Sequence, residues 1–160
     1  MHAWRLATRP FAETLDGGGN RERGARWNSG GGRGVVYCSE NLATCVLEAL
    51  VNFGPAQRRK LPPNFRQVLL DIPDDAGVEE LTAQDLPDDP DAVDESGRTW
   101  TQARGDRWLR AGRALVMRVP SLVVPVERNL LLDPQHPEMK RVRIVANEPF
   151  RFDDRLAHRR

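Results

Sequence analysis

Hydrophobic and polar positions along this chain alternate between two rhythms. Residues 33–39 read as a strand centred on Val35, Val36 and Tyr37. Ser39 is placed as an N-cap, and Glu40 and Asn41 open a helix that runs to about Phe53, where Gly54 and Pro55 supply the stop. At about 100° per residue, Leu42, Val46, Leu47, Leu50 and Phe53 share one arc. Glu48 falls roughly opposite, near Asn41, Thr44 and Asn52. Residues 67–72 read as a strand, and residues 98–111 as a helix stopped by Gly112. Residues 114–119 and 122–126 read as strands broken by Pro120-Ser121, followed by short strands at 130–132, 143–146 and 150–152. Many strands in mixed order with two substantial helices predict an α+β fold rather than a doubly wound sheet.

At 160 residues the chain is expected to form one domain over 1–160. No apolar run approaches the roughly 18–20 residues of a membrane-spanning helix. The start, Met1-His2-Ala3-Trp4-Arg5, lacks the basic-then-apolar pattern of a signal peptide. Cys38 and Cys45 do not make a disulfide framework. The expectation is a cytoplasmic protein without a membrane role. A net charge of +1 gives no electrostatic case for direct nucleic-acid binding.

Charge is distributed unevenly, and this changes the picture. Residues 1–70 hold 10 basic and 5 acidic side chains, residues 71–95 hold 11 acidic and no basic ones, and residues 96–160 hold 14 basic and 7 acidic. The acidic segment carries Pro73, Pro87 and Pro90 and reads as a solvated loop with one helical turn at 81–86. A docking surface, or a flap over the basic body, is the sharper alternative. Residues 16–34 are rich in glycine, which lets a backbone approach a ligand closely.

Several familiar chemistries have no foothold. There is no dinucleotide-binding glycine register and no phosphate-binding Gly-Lys-Ser/Thr. No Gly-x-Ser-x-Gly elbow occurs. His2, His136 and His158, like the two cysteines, lack metal-ligand spacing, so no metal is expected. On pattern alone Arg26 is a surface charge, Tyr37 a core strand residue, Glu48 a solvated helix position and Ser121 a turn residue.

Arg26-Trp27-Asn28 followed by glycines, Val36-Tyr37-Cys38-Ser39, Leu47-Glu48-Ala49-Leu50, Arg118-Val119-Pro120-Ser121 and residues 129–137 stand in an order that resembles the RES domain. Residues 149–153 look like its closing segment. The family is named for its Arg, Glu and Ser, and the resemblance spans Trp4 to about Leu156. It implies a fold related to the ADP-ribosyltransferases, with small packed sheets flanked by helices and NAD+ as substrate. It also implies a toxin of a bacterial toxin–antitoxin pair, with an Xre-type antitoxin protein as partner. Two positions depart from the pattern: Ser29 stands where proline often follows Asn28, and Asp133 stands where asparagine is common.

The residue chemistry is compatible with that implication. Nicotinamide leaves NAD+ as a neutral molecule, and the oxocarbenium-like transition state calls for one placed carboxylate. Glu48 can supply it, Arg26 can grip the pyrophosphate through its fork, and Tyr37 can stack on nicotinamide or ribose. These three form the expected catalytic set. Arg26, Asn28, Tyr37, Ser39 and Ser121 form the expected substrate-binding set, with Trp27 and Asn28 open between cleft wall and scaffold. Three functions remain: an NAD+-consuming toxin with water, phosphate or a protein as acceptor; an ADP-ribosyltransferase selective for one protein target; and a non-catalytic binding module.

Overall fold

In the computed structural model, which describes residues 1–157, seven strands pair into one sheet. The strands are β1 (His2–Thr8), β2 (Val36–Ser39), β3 (Phe65–Asp71), β4 (Val78–Glu80), β5 (Val116–Pro120), β6 (Arg128–Leu132) and β7 (Arg143–Phe150). The helices are α1 (Arg9–Ala12), α2 (Gly18–Arg21), α3 (Leu42–Asn52), α4 (Pro55–Arg59) and α5 (Trp100–Ala111). The strand order is β4-β5-β6-β2-β1-β3-β7, antiparallel except for the parallel pair β4–β5. The α+β class is as expected, and the strands expected in small sheets join into a single one.

The sheet is covered on both faces because successive strand residues point to opposite sides. Val36 and Cys38 of β2, with Leu130 and Leu132 of β6, join one core with Val68 and Leu70 of β3. Leu131, Met117 and Val119 point the other way and pack with Trp108 and Leu109 of α5, Trp27 and Val35. Tyr37 packs against this second core.

Several elements differ from the pattern reading for identifiable reasons. The helix after β2 is capped by Asn41, whose Oδ1 accepts from the Thr44 N–H at 2.8 Å, and not by Ser39. Pro55 does not merely stop that helix; it opens α4 at the N-terminal position where its missing N–H costs nothing. Leu47 is exposed instead of sharing the buried arc, because α3 seats Thr44 and Cys45 in the core. Residues 122–126 form the β5–β6 turn rather than a strand. The Ser121 hydroxyl accepts from the N–H groups of Val123 (3.1 Å) and Val124 (3.0 Å), which diverts both donors from any ladder. The two last strands expected are one, β7, and Pro149 is tolerated in it because β7 lies at the sheet edge.

Candidate functional site

A cleft of 430 Å3 opens between α3, β2, β6 and the glycine-rich loop. Tyr37, Ser39, Glu48, Asn129 and Arg26 line it, with Leu6, Trp27, Cys45, Ala49, Asn52 and Leu122 among the surrounding walls. On α3, Cys45, Glu48, Ala49 and Asn52 recur at three- and four-residue intervals, which is one helix stripe. Cys45 anchors that stripe by donating to the Trp4 carbonyl at 3.0 Å. The helix face that reads as solvated in the sequence is therefore the floor of a cleft.

Glu48 is half-buried and held by one oxygen. Its Oε1 accepts from the Ser121 hydroxyl at 2.8 Å and from the Asn129 amide nitrogen at 2.6 Å. Ser39 donates to the Asn129 amide oxygen at 2.6 Å. Oε2 accepts no hydrogen bond among the described residues.

Tyr37 reaches from β2 beneath the loop that carries Arg26. Its hydroxyl accepts from the Trp27 N–H at 2.9 Å and donates to Asn28 Oδ1 at 3.0 Å. With both hydroxyl roles used inside the protein, the ring is what Tyr37 offers the cleft. Burial pushes this phenol well above its ordinary range.

Arg26 is exposed at the cleft wall and pairs with Asp91 of the acidic segment. The loop beneath it is docked along one face of α5. Gln102 donates to the Ala25 carbonyl at 3.1 Å, and Asp106 accepts from the Ser29 N–H (3.0 Å) and hydroxyl (2.7 Å). Between them, Gly105 meets Trp27 so closely that a Cβ would lie 1.8 Å from its carbonyl oxygen. Ser29, where proline is more usual, thus supplies two donors that a proline would lack. Asp133, the other departure, is 1% exposed and sits at 3.1 Å from Arg33, whose guanidinium also donates to the Leu109 carbonyl.

The expected residues fall into two groups. Arg26, Tyr37, Ser39 and Glu48 line the cleft together. Asn28 and Ser121, at 0% and 1% exposure, lie outside its lining and support it from behind. Asn28 Nδ2 donates to the carbonyls of Asn20 and Arg33, and its Oδ1 holds Tyr37. Asn129 is absent from the expected set; its one signal is a polar residue opening the apolar run Leu130-Leu131-Leu132 in a buried strand. Burial pushes the Cys38 and Cys45 thiols up, which keeps them protonated. Among the described residues no cluster of three or more His, Cys, Asp or Glu is placed to hold a metal, and His158 lies outside them. Nor is any described helix long and apolar enough to cross a membrane.

The RES domain family model matches residues 2–153. The chain is 34% identical over 158 residues to the Prs ADP-ribosylating toxin of Sphingobium sp. strain YBL2, covering 96% of this chain and 94% of that one. It is 31% identical over 158 residues to Toxin Res of Photorhabdus laumondii, covering 98% and 97%. A chain in the crystal structure of the M. tuberculosis MbcT–MbcA toxin–antitoxin complex superposes with a TM-score of 0.68 at 20% identity, covering 93% of this chain and 83% of that one. The chain belongs to the RES-domain family.

Proposed function

We propose that this RES-domain chain is the toxin of a toxin–antitoxin pair and that it consumes NAD+ by cleaving the bond between nicotinamide and ribose. The observation that carries this reading is the Glu48 carboxylate, fixed by Asn129 and Ser121 at one oxygen, in a cleft that Arg26 and Tyr37 also line. The names its relatives carry support it.

The residues fit a dinucleotide. Arg26 offers a guanidinium for the pyrophosphate, which has to take the place of Asp91. The Tyr37 ring offers an apolar face to nicotinamide or ribose. Glu48 Oε2 is free to accept from a ribose hydroxyl and to face the positive charge that develops as the C1′–N bond breaks. The bonding pair leaves with nicotinamide, which departs neutral and needs no general acid. An acceptor oxygen from water, phosphate or a protein side chain then bonds to C1′ and gives up its proton to solvent. The partner is an Xre-type antitoxin protein that closes the cleft, its carboxylates drawn to Arg26.

The test is to incubate the purified protein with NAD+ and follow free nicotinamide and label transfer to cell proteins separately. Nicotinamide release establishes the reaction, and the partition between the two readouts separates a protein acceptor from a small one, with omission of phosphate distinguishing phosphate from water. No release and no transfer would refute it.

A further inference from the structure

Glu48 is bound unevenly. Both of its protein donors, Ser121 Oγ at 2.8 Å and Asn129 Nδ2 at 2.6 Å, converge on Oε1. The donors come from different elements, Ser121 from the turn after β5 and Asn129 from β6. They differ in how firmly they are themselves held. Ser121 accepts two backbone N–H groups, so its oxygen is fixed and its one proton is directed at Glu48. Asn129 has an amide whose two ends are nearly the same shape, and a half-turn would place its oxygen against the carboxylate. The carboxylate itself disfavours that turn, because it can only accept, and Ser39 complements the arrangement by donating at 2.6 Å to Asn129 Oδ1.

We infer that Asn129, backed by Ser39, is a positioning residue that sets the Glu48 carboxylate so that Oε2 alone is presented to substrate. The inference rests on the proposed NAD+ chemistry for its catalytic readout and on the Ser39–Asn129–Glu48 chain for its geometry. Asn129 lines the cleft itself, so it is placed to act on Glu48 without a further intermediary. It also explains why Ser39, a polar residue 3% exposed in a strand, is buried without penalty: its proton is used on Asn129 Oδ1.

Asn129→Asp tests this with nearly the same shape. A second carboxylate then faces Oε1, and the pair resists carrying two negative charges at that distance. The acid limb of the pH–rate profile for nicotinamide release is expected to move up by about one pH unit or more. Asn129→Ala should lower kcat roughly ten- to hundredfold while KM changes less than about threefold, since both Asn129 amide ends are engaged by Glu48 and Ser39 and what is lost is a hydrogen bond to a charged group. The other titratable groups lining the cleft are Arg26, Tyr37, Cys38 and Cys45. A residue-specific 13C titration of the Glu48 carboxyl therefore accompanies the kinetics, and its midpoint should rise in Asn129→Asp. That signal needs no turnover, so a wild-type protein that releases no nicotinamide would defeat the functional reading while the titration still reports whether position 129 faces the Glu48 carboxylate, on which the inference stands. An unshifted Glu48 midpoint with wild-type kcat in Asn129→Asp would overturn the inference. Should both Asn129 variants lose the fold, Ser39→Ala carries the test: kcat reduced severalfold at unchanged melting temperature supports it, and unchanged kcat refutes it.

Discussion

Replacing Glu48 by glutamine removes one negative charge and almost nothing else. The side-chain oxygen of the glutamine can still accept from Asn129 and Ser121, which donate to Oε1 at 2.6 and 2.8 Å, so the rotamer is retained. The new amide nitrogen then occupies the position of Oε2, toward the substrate. Glu48 is half-buried on α3, and glutamine matches glutamate in helix propensity, so the melting temperature should move by less than about 2 °C. The rate should respond very differently. A unit negative charge about 4 Å from a unit positive one contributes about 4 kcal/mol at an effective dielectric constant of 20. Charge at the reacting ribose is partial, so the expected loss is about 10²–10³ in kcat, in the range seen when one transition-state electrostatic contact is removed. The assay is nicotinamide release from NAD+ at saturating substrate, with circular dichroism on the same sample. A folded Glu48→Gln protein with turnover within about threefold of wild type would show that the carboxylate is not the catalytic charge.

Arg26→Ala and Arg26→Lys should both weaken NAD+ binding, the alanine variant by roughly ten- to hundredfold in a titration against the Glu48→Gln background, with the melting temperature unchanged because Arg26 is exposed. Asp91→Asn should lower KM for NAD+ by up to about fivefold at low salt with kcat unchanged, because it frees Arg26 from an exposed ion pair worth about 1 kcal/mol or less; a raised KM would show that Asp91 instead orients Arg26 for substrate. Gly105→Ala should cost about 1–3 kcal/mol in urea unfolding and also raise KM, since its methyl group displaces the Trp27 carbonyl and with it the loop carrying Arg26. Cys38 and Cys45 should resist iodoacetamide at pH 8 in the native protein and react in urea, because burial raises both thiols; native alkylation would contradict their placement.

The longer elements are legible in the chain because their patterns are strong. α5 shows this best, with Thr99 as its cap and a left-handed Gly112 as its stop. β1 escapes the pattern because its inward positions are Ala3, Arg5 and Ala7, two small residues and an arginine buried by donating to the Thr14 carbonyl. β4 escapes it because two of its three residues are glutamates, satisfied by Arg104 and Arg118. Inside the acidic segment, the helical turn expected at 81–86 is present as a 3-10 turn at Ala83–Asp85. At the candidate site, the family resemblance points to Arg26 and Glu48, and less sharply to Tyr37 and Ser121. It does not name pairings between distant positions, since nothing local to Ser39 or Asn129 signals that the two are hydrogen-bonded. Nor does the pattern separate residues facing the cleft from those behind it, as Asn28 and Ser121 show.

The hydrogen bonds that hold Glu48 join positions 73 and 81 residues apart, and the strand supplying Asn129 sits between β5 and β2 in the middle of the sheet. Sequence separation on that scale becomes time during synthesis. A ribosome adds roughly 5–20 residues per second, so Glu48 emerges roughly 4–16 s before Asn129 does. Throughout that interval the chain holds the Glu48 carboxylate without its Asn129 donor and without β6, an interior strand of its sheet. A nascent chain, or one cut short by a nonsense codon before position 128, therefore has neither the complete donor pair of Glu48 nor the β6 wall of the cleft. The cleft is thus a late product of synthesis, complete only when β6 has paired with β2 and β5.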